Sequence, residues 1–421
     1  MYCKSVLDNG LRIVSMEMPH TRSVSMGVFI GVGSRYERAD ERGISHFVEH
    51  MLFKGTAKRP TAQAIAEIIE TLGGELNAGT GNEVTTYYSK VASHHLPIAL
   101  DVLLDMLRHS RFDAEEVERE RKVILQEINQ LMDTPESWVH VLMGELLWPD
   151  HPLGWEIAGT RESVSSISVQ NIVDYVDRSY LPSNTVISVA GNMKHASVVA
   201  ELNKELGSWK CVAKPAFLPA MPLPSGPAMH IEFKETEQAH LCLGVRGLSF
   251  RDPDYYPLRL LNVILGDGMS SRLWLDIREK RGLAYSVGSY TTFLADTGSL
   301  ILFAGAPLAQ VGEVIQAMLT QLDLLRWQIV PQVELHKAKE YLKGHMLLSM
   351  EDTYSNAQWF ARQEVLDMPV LTVDQVVERL DAVSAEDVQR VALQLFTSEQ
   401  LRLAALGPFK DDDRLSSMLK L

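Results

Sequence analysis

The stretch GISHFVEHMLFKGT, residues 43–56, sets His46 and His50 four residues apart with Glu49 between them, inside an otherwise apolar helical pattern. Residues four apart on an α-helix project about 40° from one another, so both imidazoles share a face and can reach one ion. Glu49 sits one position off that face, close enough to touch a water at the ion without being a ligand. Neutral imidazoles suit zinc. A catalytic zinc keeps an open position for water and lowers its pKa to about 7, while a nearby carboxylate accepts the proton. The H-x-x-E-H order reverses the commoner H-E-x-x-H and is a signature in its own right. Two histidines do not complete such a site, so a third ligand is required.

DAEEVERERKVILQEINQL, residues 113–131, offers candidates. On a helical wheel Val117, Ile124, Ile128 and Leu131 form a buried stripe, and Glu120 and Glu127, seven apart, fall along its edge. Carboxylates flanking an apolar stripe can point inward. His94, His95 and His151 have no carboxylate at ligand spacing and read as surface or capping residues. The run Asp411–Asp413 reads as a solvated turn, because the 12-residue calcium-loop pattern is missing.

The elements that must position these groups occur twice. Residues 164–209 and residues 380–421 follow one order: a Ser-capped amphipathic helix, a polar turn, an apolar strand ending in glycine (Gly191, Gly407), then a helix. Their openings agree more weakly, each a strand, a loop and an apolar helix. Residues 211–228 hold five prolines, which neither a helix nor a central strand tolerates. The chain is therefore expected to consist of a zinc-binding half, 1–210, a linker, 211–228, and a homologous second half, 229–421. GLRIVSM, SVSMGVFIGV, VTTYYSKV, HLCLGVRGL and GSLILFAGA read as strands with long helices between them. Each half is an expected α+β layer, a mainly antiparallel sheet with helices packed on one face.

With 421 residues, 46% hydrophobic and 22% charged, the chain can bury two or more domain cores. A formal charge of -14 argues against a phosphate-binding surface and so against nucleic acid. Cys3, Cys211 and Cys242 lie far apart with no C-x-x-C spacing, and read as buried thiols rather than a disulfide framework or thiolate zinc site. No apolar run reaches the ~18 residues of a membrane span. The beginning MYCKSVLDNGLRIVSME lacks the pattern of a secretory or organellar leader, so a cytoplasmic location is the expectation.

HFVEHMLFKGT, followed 77 residues after His50 by Glu127, resembles the pitrilysin-type inverzincin metallopeptidases. At about 420 residues the chain is similar to their short branch, which includes mitochondrial processing peptidase and its bacterial relatives. The resemblance spans essentially the whole sequence. GGELNAGTGNEVTTYYSKV resembles the family's substrate-pairing edge strand, HPLGWEIAGT its H-P-L-G loop, and LGDGMSSRLWLDIREKRGLAYSVGS its second-half signature. Trp155 and Glu156 depart from the basic residue and proline usual in that loop.

The resemblance implies that His46, His50 and Glu127 bind one zinc per chain, that Glu49 is the general base, and that Glu120 orients the site through its neighbours. It implies that Asn77 and Ala78 hold a peptide backbone by strand addition. Arg278 and Tyr285, seven apart in REKRGLAY, match the pair that reaches the substrate. The Arg would hold a carbonyl or carboxylate and the phenol would donate to an oxyanion. The implied activity is that of a zinc endopeptidase acting on extended peptides or unfolded segments inside a homodimeric chamber, with neither nucleic acid nor membrane as partner. A catalytically silent scaffold or partner subunit of a heterodimeric processing peptidase is the alternative. A peptide-binding clamp built on a structural zinc, which would need a fourth protein ligand, is a rival of another class.

Overall fold

A computed structural model describes residues 2–210, 213–409 and 413–421. Two compact units form: Met1–Asn129, Glu156–Leu218 and Leu347–Leu371 make one, and Gln130–Trp155, Pro219–Met346 and Thr372–Leu421 make the other.

The first unit is built on six strands: β1 (Tyr2–Val6), β2 (Arg12–Glu17), β3 (Ser23–Ile30), β4 (Glu75–Thr80), β5 (Thr85–Ala92) and β6 (Thr185–Gly191). Their order is β1-β2-β6-β3-β5-β4, so β4 is an edge strand with β5 as its neighbour. All neighbours are antiparallel except β2 and β6. Strand alternation fixes the register. Thr85, Tyr87, Ser89 and Val91 of β5 are buried while the residues between them are not, and Val91 and Tyr87 pair with Val24 and Val28 of β3. The helix Leu96–His109 packs on β3 and β5, and α1 (Ile44–Leu52) packs against β4 and the helix Val169–Ser179. The charge-rich helix α2 (Ala114–Met132) buries Val117, Ile124 and Ile128, the expected stripe, with Leu131 half-buried at its end.

The second unit is built on β7 (Ala228–Phe233), β8 (Ala239–Gly247), β9 (Ser286–Phe293), β10 (Gly298–Ala306) and β11 (Arg402–Gly407), in the order β7-β11-β8-β10-β9. Only β7 and β11 run parallel. The α+β class with two tandem, mainly antiparallel sheets is the expected one. The internal repeat is visible: the helix Val169–Ser179, β6 and the helix His195–Leu206 answer to the helix Ala385–Leu395, β11 and the helix Asp413–Met418. Ser168 and Ser384 close capping boxes at the first helix of each triplet.

The units do not coincide with halves drawn along the chain. The helix α3 (Pro135–Leu147), from the first half, buries Val139, Leu142, Met143 and Leu147 against Cys242, Ile301, Ala404 and Leu406 of the second unit's sheet. Reciprocally α4 (Thr353–Val365), from the second half, buries Phe360, Ala361 and Val365 against Val14, Phe29 and Val186 of the first unit's sheet. Each sheet thus carries a helix from the other half on the face its own helices leave open. Lys90 with Asp352, Ser25 with Thr353, and Tyr2 and Lys4 with Glu364 fix α4 in place.

Cys242 is buried, and burial raises its thiol pKa well above the ordinary range; Cys3 is only half-buried, and Cys211 lies outside the described residues. Asp411 and Asp412 also lie outside them, whereas Asp413 opens a helix instead of sitting in the expected turn. His151 caps the turn Pro152–Gly154, as expected, but from a buried position: Leu153 N donates to its Nδ1 at 3.1 Å. No helix among the described residues is long and apolar enough to cross a membrane.

Candidate metal centre

Helix α1 is a buried plank with one polar edge. Ile44, Phe47, Val48, Met51 and Leu52 are buried, each contributing about 1.5–3 kcal/mol, while His46, Glu49 and His50 lie together on the partly open side. The start of the helix is fixed by groups that spacing alone does not suggest. Glu37 accepts from Gly43 N and Ser45 N, both at 2.8 Å, and so satisfies two of the donors that a helix start leaves free. Gly43 adopts φ +89°, and a Cβ there would stand 2.5 Å from Ala158 O; only glycine allows that turn.

The His46 and His50 Nε2 atoms are 3.0 Å apart. From α2, Glu127 places Oε2 3.8 Å from His46 Nε2 and 3.6 Å from His50 Nε2. His46, His50 and Glu127 are the one His/Cys/Asp/Glu cluster among the described residues whose donor atoms could share an ion. Zinc bonded tetrahedrally at about 2.0–2.1 Å would hold its ligand atoms about 3.3 Å apart, so three donors at these separations fit that ion. The donor set, two imidazoles and a carboxylate, is of the right chemical kind and leaves a fourth position open.

The two imidazoles differ in how readily they protonate. Burial, and then the neighbouring His50, push His46 down to about 4, so its ring is neutral and its nitrogen available. His50 donates from Nδ1 to Glu120 Oε1 at 2.8 Å, which turns the Nε2 lone pair toward Glu127. Burial alone would lower the His50 pKa, but the hydrogen bond to Glu120 and the charges of Glu127, Glu120 and Glu49 raise it. Burial alone would raise Glu120, but its hydrogen bonds with His50 and Lys54 hold it below the ordinary range. Glu49 is pushed upward by burial, against the opposing pull of a hydrogen bond from Thr80 Oγ1 to its Oε2 at 2.5 Å.

The structure therefore brings His46, His50, Glu127, Glu49 and Glu120 into one cluster. Asn77 and Ala78 lie on β4, and Ala78 N donates to Asn77 Oδ1 at 2.8 Å. Thr80, two residues beyond Ala78, carries that strand's link to Glu49. Arg278 and Tyr285 meet each other in the second unit, where Arg278 Nη1 donates to Tyr285 O at 2.8 Å. Two further site residues were open to sequence reasoning. Lys54, four beyond His50, pairs with Glu120 at 2.6 Å, and Thr80 has the strand period relative to Ala78. Glu37 carries no such signal. Glu156, in the departing loop, accepts from Ala158 N, and burial raises its pKa.

The sequence matches the family model described as insulinase (peptidase family M16) over residues 12–161, and the one described as peptidase M16 inactive domain over residues 166–342. An uncharacterized zinc protease of Bacillus subtilis is 41% identical over 404 residues, which is 95% of this chain and 97% of the relative. This chain belongs to peptidase family M16. A second such relative, an uncharacterized zinc protease of Streptomyces coelicolor, is 36% identical over 97% of this M16 chain and 90% of its own. Among solved structures, a protease from Helicobacter pylori superposes with a TM-score of 0.90 at 24% identity, covering 97% of this chain and 99% of that one. The peptidase M16 inactive domain from Pseudomonas fluorescens superposes at 0.88 with 19% identity, covering 97% and 98%. These likenesses show that the M16 fold is shared over its whole length, in the short, pitrilysin-type form.

Proposed function

We propose that this M16 chain is a zinc-dependent endopeptidase that hydrolyses peptides or unfolded segments held in extended form. The observation that carries the reading is the convergence of His46 Nε2, His50 Nε2 and Glu127 Oε2 with Glu49 beside them. His46, His50 and Glu127 would hold the ion, one per chain. Zinc bound there supplies a Lewis acid that polarises the scissile carbonyl and makes water acidic near neutral pH.

The chain's own groups do the rest. Glu49, more basic than an ordinary carboxylate because it is buried, takes the proton from the attacking water and passes it to the leaving nitrogen. Thr80 fixes the carboxylate's orientation. Glu120 holds the His50 ring and its tautomer, and Lys54 holds Glu120. Edge strand β4, with Asn77 and Ala78, offers unpaired backbone to an incoming strand, so affinity requires extended substrate rather than one sequence. Arg278 and Tyr285 supply an oxygen-binding group, and in a homodimer those of one subunit complete the zinc site of the other. The names of the curated relatives support the protease reading.

A mixed pool of peptides of about 20 residues, offered to the wild-type chain and to Glu49→Gln with zinc content measured in both, tests this. About one zinc in each protein and cleavage only by the wild type is the expected result. Zinc-loaded wild type that cleaves nothing would sink the endopeptidase reading in favour of a silent partner subunit. A fourth protein ligand on the metal would favour the structural-zinc clamp.

A further inference from the structure

Arg278 lies on the seven-residue π-helix Trp274–Lys280, a rare element that recurs at functional sites. Two rings lie against its guanidinium: Cζ stands 4.1 Å from the centre of Trp274 and 4.4 Å from that of Tyr285. One nitrogen, Nη1, donates to Tyr285 O. Among the described residues no carboxylate pairs with Arg278, although Arg272 and Arg281 nearby are paired. Arg281 bonds to Asp276 at 3.0 and 3.2 Å, Gln321 also donates to Asp276, and Arg272 grips Glu334 at 2.9 and 2.7 Å. The frame around the π-helix is therefore pinned, while Arg278 within it lies against two rings and keeps an unmet donor edge. Tyr285 is 74% exposed, so the Tyr285 side of the clamp faces solvent and admits a ligand.

A guanidinium on a long side chain normally loses much rotamer freedom when it binds. Two rings and a backbone acceptor remove that freedom beforehand, leaving the remaining N–H groups to meet an oxygen in the guanidinium plane. We propose that Trp274 is a positioning residue: by stacking on Arg278 it fixes the guanidinium edge as a receptor for a backbone carbonyl oxygen of the substrate peptide. The proposal rests on the peptidase reading above, and extends it to a residue that touches no substrate itself.

The test uses the full-length, zinc-loaded chain with Glu49→Gln as background, so that peptide binds without being cut. Affinity for a fluorescein-labelled peptide of about 20 residues is read by anisotropy, with Trp274→Ala, Trp274→Phe, Arg278→Ala and the Trp274→Ala/Arg278→Ala pair. Thermal unfolding of each variant confirms that it is folded. Trp274→Ala is expected to bind roughly fivefold more weakly, and Trp274→Phe, which keeps a ring, within about twofold of the parent. With Arg278 already removed, Trp274→Ala should cost nothing more. An equal loss in both backgrounds makes Trp274 merely structural and overturns the proposal, as does unchanged affinity in Trp274→Ala. Peptides with amidated and free C-termini should depend on Trp274 alike; dependence confined to the free acid overturns the assignment of a backbone carbonyl. If the wild type cleaves nothing while the Trp274–Arg278 coupling persists, the endopeptidase reading fails and the clamp stands.

Discussion

Glu120 lies between two bases, with Oε1 2.8 Å from His50 Nδ1 and Oε2 2.6 Å from Lys54 Nζ. Its buried carboxylate is fully partnered, and its hold on His50 determines which ring nitrogen faces the metal position. Glu120→Gln keeps the shape but sets an amide NH2 against a donor on one side. Zinc affinity, measured by competition with a chelator, is expected to fall about 10–100-fold. Unchanged affinity would mean that the ring is oriented by packing alone.

Thr80 donates to Glu49 and to no metal ligand, so its removal should separate proton transfer from metal binding. Thr80→Val preserves the volume and deletes the hydroxyl. Hydrogen bonds to charged groups contribute about 1.5–3 kcal/mol, so peptide hydrolysis should drop roughly tenfold or more at full zinc content. A variant that loses zinc in proportion to its activity would count against a role in orienting Glu49.

The groups most legible in the sequence were those whose spacing repeats a helical or strand period. His46, His50, Glu120 and Glu127 fall on helix faces, and the internal repeat follows from two Ser-capped helices preceding Gly-terminated strands. Contacts between distant segments leave no such trace. Glu37 reaches forward to cap α1 across a loop with no period of its own. The exchange of α3 and α4 depends on which sheet face each helix finds, and the apolar stripe of Phe360, Ala361 and Val365 would fit many faces. The π-helix at Arg278 reads from sequence as ordinary α-helix, because one extra residue per turn leaves the composition unchanged.

Glu37 links the site helix to pH. Burial pushes its carboxyl up to about 7 from an ordinary 4.5, against two backbone N–H bonds and a bond with the Ser45 side chain that pull it down. The folded protein therefore holds this proton to higher pH than the unfolded chain, and between about pH 4.5 and 7 it binds more protons. Stability must fall as pH rises through that window, by on the order of 3 kcal/mol in all. Glu37→Gln removes the titration at a constant loss of one acceptor. The wild type's Tm advantage over Glu37→Gln should thus be greatest below pH 4.5 and shrink toward pH 7; a difference independent of pH would show that folding leaves the Glu37 carboxyl unshifted.

Phe360 tests the exchange of helices. It is 5% exposed, stacks on Tyr2 with ring centres 4.6 Å apart, and belongs to α4 from the far half of the chain. Phe360→Ala should leave a cavity under the first unit's sheet and cost about 3–5 kcal/mol. Urea unfolding followed by loss of zinc reports on that unit in particular. If the zinc-binding unit tolerates the change while the second unit weakens, α4 does not carry the stability assigned to it.

The proposed homodimer makes the sharpest functional prediction, because each chain carries both the His46–His50–Glu127 cluster and the Arg278–Tyr285 pair. If that pair acts on the zinc site of the opposite subunit, Arg278→Ala and Glu49→Gln damage complementary halves of each site. Every heterodimer of the two variants then contains one site with an intact Glu49 and an intact Arg278, and another with neither. Subunits exchanged at random give about half of the dimers this composition, so the mixture should recover roughly a quarter of wild-type hydrolysis while each variant alone stays near background. If both groups instead act within one subunit, mixing restores nothing, since no chain has both. Measuring peptide cleavage before and after subunit exchange, with dimer formation checked by light scattering, separates the two arrangements.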